Sequence, residues 1–125
     1  MSEQELQINI AHYIRIQYPD VLFHSDYGSG IKLTARQASI QKRQNGGLRG
    51  WPDMFIAEPR NGYLGLFIEL KKEGTRLKKR DGSWASDHIE EQAEMLSLLE
   101  ERGYYSTFAR GFDEAKEIID EYFKR

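Results

Sequence analysis

Leu6, Ile10, Tyr13, Ile14 and Gln17 recur at three- and four-residue steps, which predicts a helix over residues 3–17. Ser2 and Glu5 have a capping-box spacing at its start. Tyr18-Pro19-Asp20 ends it, because a residue before proline disfavours α backbone. Val21-Leu22-Phe23-His24 reads as a short strand and Asp26–Gly30 as a loop. Thr34–Gln44 is a second, polar helix stopped by Asn45-Gly46-Gly47. A strand over Asp53–Glu58 meets a turn at Pro59-Arg60-Asn61-Gly62 and returns as Tyr63–Lys72. Gly74–Ser86 is basic, polar and aperiodic, and so a loop. Asp87–Arg102 is the clearest helix, with Ile89, Ala93, Leu96 and Leu98 or Leu99 on one face and Gly103 as its C-cap. Tyr104–Ala109 is a strand, and Asp113 caps a last helix running to Tyr122. The order α-β-α-β-β-α-β-α predicts an α/β fold with a central mixed sheet flanked by helices.

The 125 residues amount to one domain, 1–125, long enough to bury a core without disulfides or structural metal. The absence of cysteine excludes a disulfide scaffold, a thiolate zinc site and a cysteine nucleophile. No apolar run nears the roughly 18 residues of a membrane span. The segment Met1–Glu5 is acidic and lacks the apolar stretch of a signal peptide. A cytoplasmic protein with no membrane partner is therefore expected. The net charge of −2 is divided unevenly along the chain. Residues 27–52 carry five bases and no acid, whereas residues 87–125 carry five bases and eleven acids. A basic middle of this kind suits a polyanion, and it equally suits a solvated charged face.

The chemistry concentrates on the return strand. Leu66, Ile68 and Leu70 point one way, and Phe67, Glu69 and Lys71 the other. Asp53 opens the facing strand, and a hairpin brings facing residues to about 5 Å. Two carboxylates converging at a strand end make a hard, oxygen-liganded divalent-cation site, and a lysine beside them can stabilise charge on a phosphate. Taken alone, an E-x-K triplet is also what a cross-strand ion pair looks like. The position of Asp53 after Gly50-Trp51-Pro52 and the flanking basic segments favour the chemical reading. His12, His24 and His88 show no metal-ligand spacing. Trp51 reads as a packing residue that braces the turn aiming Asp53, and Trp84 as a packing residue able to stack on a base. Arg36, Lys42, Arg43 and Arg49 form one group of phosphate-contact candidates, and Lys72, Arg76, Lys78, Lys79 and Arg80 form another.

Gly50-Trp51-Pro52-Asp53 followed by Phe67-Ile68-Glu69-Leu70-Lys71 resembles the PD-(D/E)xK nuclease signature. The variant is similar to the VRR-NUC domain, found as small stand-alone nucleases of phages and bacteria and at the end of a DNA-repair nuclease. Glu3 and Gln7, the approach to Asp53, the hairpin, Gln92 and Gly103-Tyr104 fall in family order along nearly the whole chain. The resemblance implies a restriction-endonuclease-like core and Mg2+- or Mn2+-dependent cleavage of DNA, with branched substrates expected; a single small domain offers one active site, so a homodimer is expected for paired incisions. It implies Asp53 and Glu69 as metal ligands, the Leu70 carbonyl as a further one, and Lys71 as the catalytic lysine. It also asks for an acid on the first helix. Glu3 is preferred, since Glu5 sits in the capping-box position. Gln92 matches a family glutamine that contacts the lysine or a phosphate, and is otherwise a surface glutamine. His24-Ser25-Asp26-Tyr27 departs from the family, where an Asn-Gly pair is common, leaving Asp26 as a further acid of open role. The alternative function is a non-catalytic nucleic-acid-binding module of the same fold.

Overall fold

The structure, a computed structural model, describes residues 1–26 and 32–124. Four strands form one sheet in the order β1-β2-β3-β4: β1 (Phe23–Ser25), β2 (Met54–Ile56), β3 (Leu66–Lys71) and β4 (Tyr105–Arg110). The first three are antiparallel, and β4 runs parallel to β3, pairing Glu69 with Phe108 and Lys71 with Arg110. A parallel pair needs a long crossover, and α3 (Asp87–Glu101) supplies it. The other helices are α1 (Glu3–Gln17), α2 (Ala35–Gln44) and α4 (Gly111–Lys124). The α/β class, the mixed sheet and the element order are as the sequence predicts.

The apolar spacing of α1 puts Leu6, Ile10 and Ile14 against the sheet, where they join Ile119 and Tyr122 of α4 and the Leu66-Ile68-Leu70 face of β3. Tyr13 and Tyr18 both donate to Asp120 Oδ1, at 2.5 and 2.6 Å, fastening α1 to α4. On the opposite side α3 packs on β4 with Ile89, Met95, Leu96 and Leu99 inward. Leu98 is exposed, which decides between the two leucines. The β2–β3 hairpin closes on Asn61-Gly62, both at positive φ, between Arg60 and Tyr63, which exchange backbone hydrogen bonds. That is the primed turn whose twist matches paired strands.

Two local expectations change, and a third lies largely outside the described residues. The last helix starts at Gly111, not after Asp113; Asp113 lies in its first turn, and the Glu114 carboxylate accepts from the Arg110 N–H ahead of the helix. Residues 74–86 are not featureless, because Lys78 bridges to Trp84 and the Lys78 ammonium sits 4.7 Å from the indole centroid. The Asp26–Gly30 loop lies, beyond Asp26, outside the described residues. Helix α2 is capped by a reciprocal Thr34–Gln37 box, yet none of its residues is buried.

Candidate active site

Asp53, Glu69, Lys71 and Gln92 are all buried, along with Gln7, and these five are the polar or charged residues in the buried set. Each is placed by a backbone cause. Asp53 immediately precedes β2, and its Oδ2 accepts the Leu70 N–H at 2.7 Å, which pins the carboxylate across the hairpin onto β3. Glu69 and Lys71 follow from strand alternation, since they share the β3 face opposite Leu66, Ile68 and Leu70. Gly50 fixes the approach: a Cβ there would sit 2.7 Å from the Glu91 carbonyl oxygen and 3.2 Å from the Gln92 Cα, and its φ is +79°. Only glycine lets the Trp51-Pro52-Asp53 run press against α3.

Glu69 is the most perturbed acid. Burial is the main cause, with the adjoining Asp53 carboxylate next, and together they push its pKa up to about 10 against the partial relief of Lys71. Glu3 adds to the same rise, so the first-helix acid lies within electrostatic range of Glu69. Glu3 is half-buried while Glu5 is exposed, with its N–H donated to Ser2 Oγ. This favours Glu3 over Glu5. Among the described residues no three acids or histidines come together as a cation-sized group, so Glu3 stands apart from the Asp53–Glu69 pair. Glu69 Oε1 and Gln92 Oε1 are buried with no hydrogen-bond partner. A buried acceptor left unpaired costs about 1–3 kcal/mol, and such atoms call for an explanation.

Two neighbours were not assigned roles by the sequence. Gln7 occupies an inward position of α1, and its Nε2 donates to the Asp26 carbonyl at 3.0 Å. The Asp26 N–H in turn donates to the Asp53 carbonyl at 2.8 Å, so α1 braces the strand end that carries Asp53. A glutamine on an otherwise apolar helix face was the available signal. The Asp26 carboxyl, half-exposed, is raised by burial and by Asp53 and lowered by His24, 3.9 Å away. Beside Asp53 opens a cleft of about 250 Å³, walled by Trp51, Phe55 and Phe67 and reached by Asn45.

The proposed phosphate contacts divide by location. Arg36, Lys42 and Arg43 project from α2, and Arg49 follows in the exposed segment leading to Trp51. Lys72, Lys79 and Arg80 are exposed on the far side of Lys71 in sequence. Lys78 is engaged with Trp84. Arg76 lines a concavity of about 620 Å³ together with Arg110 and the acids Glu73, Asp113, Glu114 and Glu117.

No family model matches the sequence, and no curated protein matches it. Among solved structures, one described as a VRR_NUC domain protein superposes with a TM-score of 0.69 at 24% identity, covering 99% of this chain and 89% of the other. The chain has the VRR_NUC fold. The likeness extends from α1 to α4, so the sheet, the hairpin and the crossover helix that position Asp53, Glu69 and Gln92 all fall within it. No described helix of this VRR_NUC-like chain is long and apolar enough to cross a membrane.

Proposed function

We propose that the chain is a divalent-metal-dependent DNA endonuclease that hydrolyses phosphodiester bonds. The observation that carries the reading is the orphaned Oε1 of Glu69, buried beside Asp53. An unpaired oxygen in a pair of carboxylates suits a hard cation, which takes oxygen ligands, so the residues present fit Mg2+ or Mn2+. Asp53 and Glu69 would hold it, with the Leu70 carbonyl and Glu3 as further candidates. When bound it would supply the positive charge that draws a phosphate to the site and offsets charge in the transition state. Lys71 places an ammonium on the Glu69 side of β3, where it can donate to a phosphate oxygen or orient the attacking water. Gln92, with a free acceptor, can hold the Lys71 ammonium or a water. Arg36, Lys42, Arg43 and Arg49 supply sequence-independent attraction for the backbone.

Branched DNA, such as flaps or junctions, is the proposed substrate, with the exposed bases of α2 positioning the backbone without reading sequence. One catalytic centre per chain makes paired incisions the work of a homodimer. The test is cleavage of a panel of flaps, four-way junctions and plain duplex in Mg2+ or Mn2+. Cleavage favouring the branched members supports the proposal. Binding of the panel without cleavage in either metal would replace it with the non-catalytic binding module.

A further inference from the structure

Trp51 packs at the turn before Asp53 but is not buried. It is 37% exposed. Its ring lies 6.2 Å from that of Phe67, which stacks on Phe55 at 4.4 Å, and the three rings wall the cleft beside Asp53. We infer that this cleft is a nucleobase pocket, taking one unstacked base from the strand whose phosphate reaches Asp53 and Glu69.

Three observations carry this. The cleft volume, about 250 Å³, is below the roughly 300–1,000 Å³ of drug-sized sites; it admits a single heterocycle and excludes a base pair. Its walls are aromatic, and every base has a π-face to stack on such a wall. Its rim is polar, with Asn45 and Asp26 available to a base edge. The surrounding charge also fits. The segment entering the cleft runs from the exposed bases of α2 through Arg49 to Trp51, so a backbone drawn to those cations is delivered over the rings. A base can enter only where it is unpaired or extruded, and extrusion from a sound duplex costs a few kcal/mol. The pocket therefore rests on the nuclease reading and deepens it, giving a physical reason for selecting branch points, where unpaired nucleotides are already available.

The experiment uses a Trp84→Phe protein, in which Trp51 is the one tryptophan left of two. It is titrated in EDTA, so that no turnover occurs, with a short single-stranded oligonucleotide and with a strand of equal length made of abasic nucleotides. The base-bearing strand is expected to quench Trp51 emission and to bind about 5- to 150-fold more tightly than the abasic one, the worth of one base–aromatic stack. Adding Trp51→Ala should reduce that difference to within about 2-fold, and Trp51→Phe should retain part of it. Equal affinity for the two strands, unchanged Trp51 emission, or a Trp51→Ala variant that weakens both strands alike would overturn the pocket. If Trp51→Ala does not fold, the emission and affinities of the Trp84→Phe protein decide alone. A protein that discriminates the strands but never cleaves DNA with metal keeps the pocket and loses the nuclease. One that cleaves but does not discriminate loses only the pocket.

Discussion

Replacing Glu69 by glutamine should stabilise the metal-free protein at neutral pH while destroying its activity. The cause lies in the burial of Glu69 against Asp53, which lifts its pKa from the ordinary 4.5 to about 10. Between those values the unfolded chain has released a proton that the folded chain retains. The native state then binds more protons, so stability is fully present below about pH 4.5 and is lost progressively as pH rises towards 10. One pKa unit corresponds to about 1.4 kcal/mol. Raising the pH from about 5.5 to about 7.5 should therefore cost the wild type up to about 3 kcal/mol, a large share of the 5–15 kcal/mol that holds a small domain together. Glutamine has the shape of the protonated acid at every pH, so Glu69→Gln should lose this slope and overtake the wild type at about pH 7.5. Urea denaturation in EDTA, followed by tryptophan fluorescence at both pH values, measures the effect. With a slope of about 1–3 kcal/mol per molar urea, the wild-type midpoint should fall by up to about 1–3 M and the variant midpoint should hold. Manganese should flatten the wild-type dependence, since a cation that replaces the proton binds better as pH rises. Parallel pH slopes in the two proteins, or a variant less stable than wild type at the higher pH, would refute the reasoning.

Lys71→Ala should lower the cleavage rate by about 10²–10⁴ while leaving DNA affinity within a few-fold, because it removes the ammonium beside Glu69 and spares the exposed bases; single-turnover rates and gel-shift affinities on one substrate check both halves. Reversing charge at Arg36, Lys42 and Arg43 should weaken binding to all DNA sequences alike and reduce the slope of log K against log salt by roughly 0.9 for each phosphate no longer neutralised; an effect confined to one sequence would point to base readout. Helix α2, with no buried residue, should exchange its amide hydrogens quickly in the free protein and slowly on DNA, as hydrogen-exchange mass spectrometry over residues 35–44 would reveal. Gly50→Ala should destabilise by about 1–3 kcal/mol and lower activity together, since it sets a Cβ against the Glu91 carbonyl at a left-handed φ; a melt and a nicking rate equal to wild type would contradict the placement of Asp53 through α3.

Element order was legible because each element carries a local signal. Apolar spacing marks α1, the hairpin residues Asn61-Gly62 mark the β2–β3 turn, and Gly103 marks the end of α3. Strand ends were less legible: of the runs predicted over 53–58 and 63–72, only Met54–Ile56 and Leu66–Lys71 are strand, since pairing depends on the neighbouring strand as well as on the strand's own residues. The start of α4 was missed because β4 runs straight into it at Arg110-Gly111 with no Ser, Thr, Asn or Asp at the cap position, Glu114 reaching back to the Arg110 N–H instead. Alternation alone put Glu69 and Lys71 on one face, and the hairpin brought Asp53 to them. The brace from Gln7 through Asp26 to Asp53 and the aromatic cleft depend on how α1, the β1–β2 pair and the turn before Asp53 meet in space. No linear spacing encodes those meetings.

The most direct test of the central claim is nicking of a supercoiled plasmid by wild type and Asp53→Asn, each with Mn2+ and with EDTA. The substituted amide would still offer an oxygen to the Leu70 N–H, so the fold and its hydrogen bond are kept while the charge is removed. The account predicts nicking by the wild type in Mn2+ alone, with EDTA and Asp53→Asn both at background. Nicking that survives EDTA, or an Asp53→Asn protein as active as wild type in Mn2+, would contradict it.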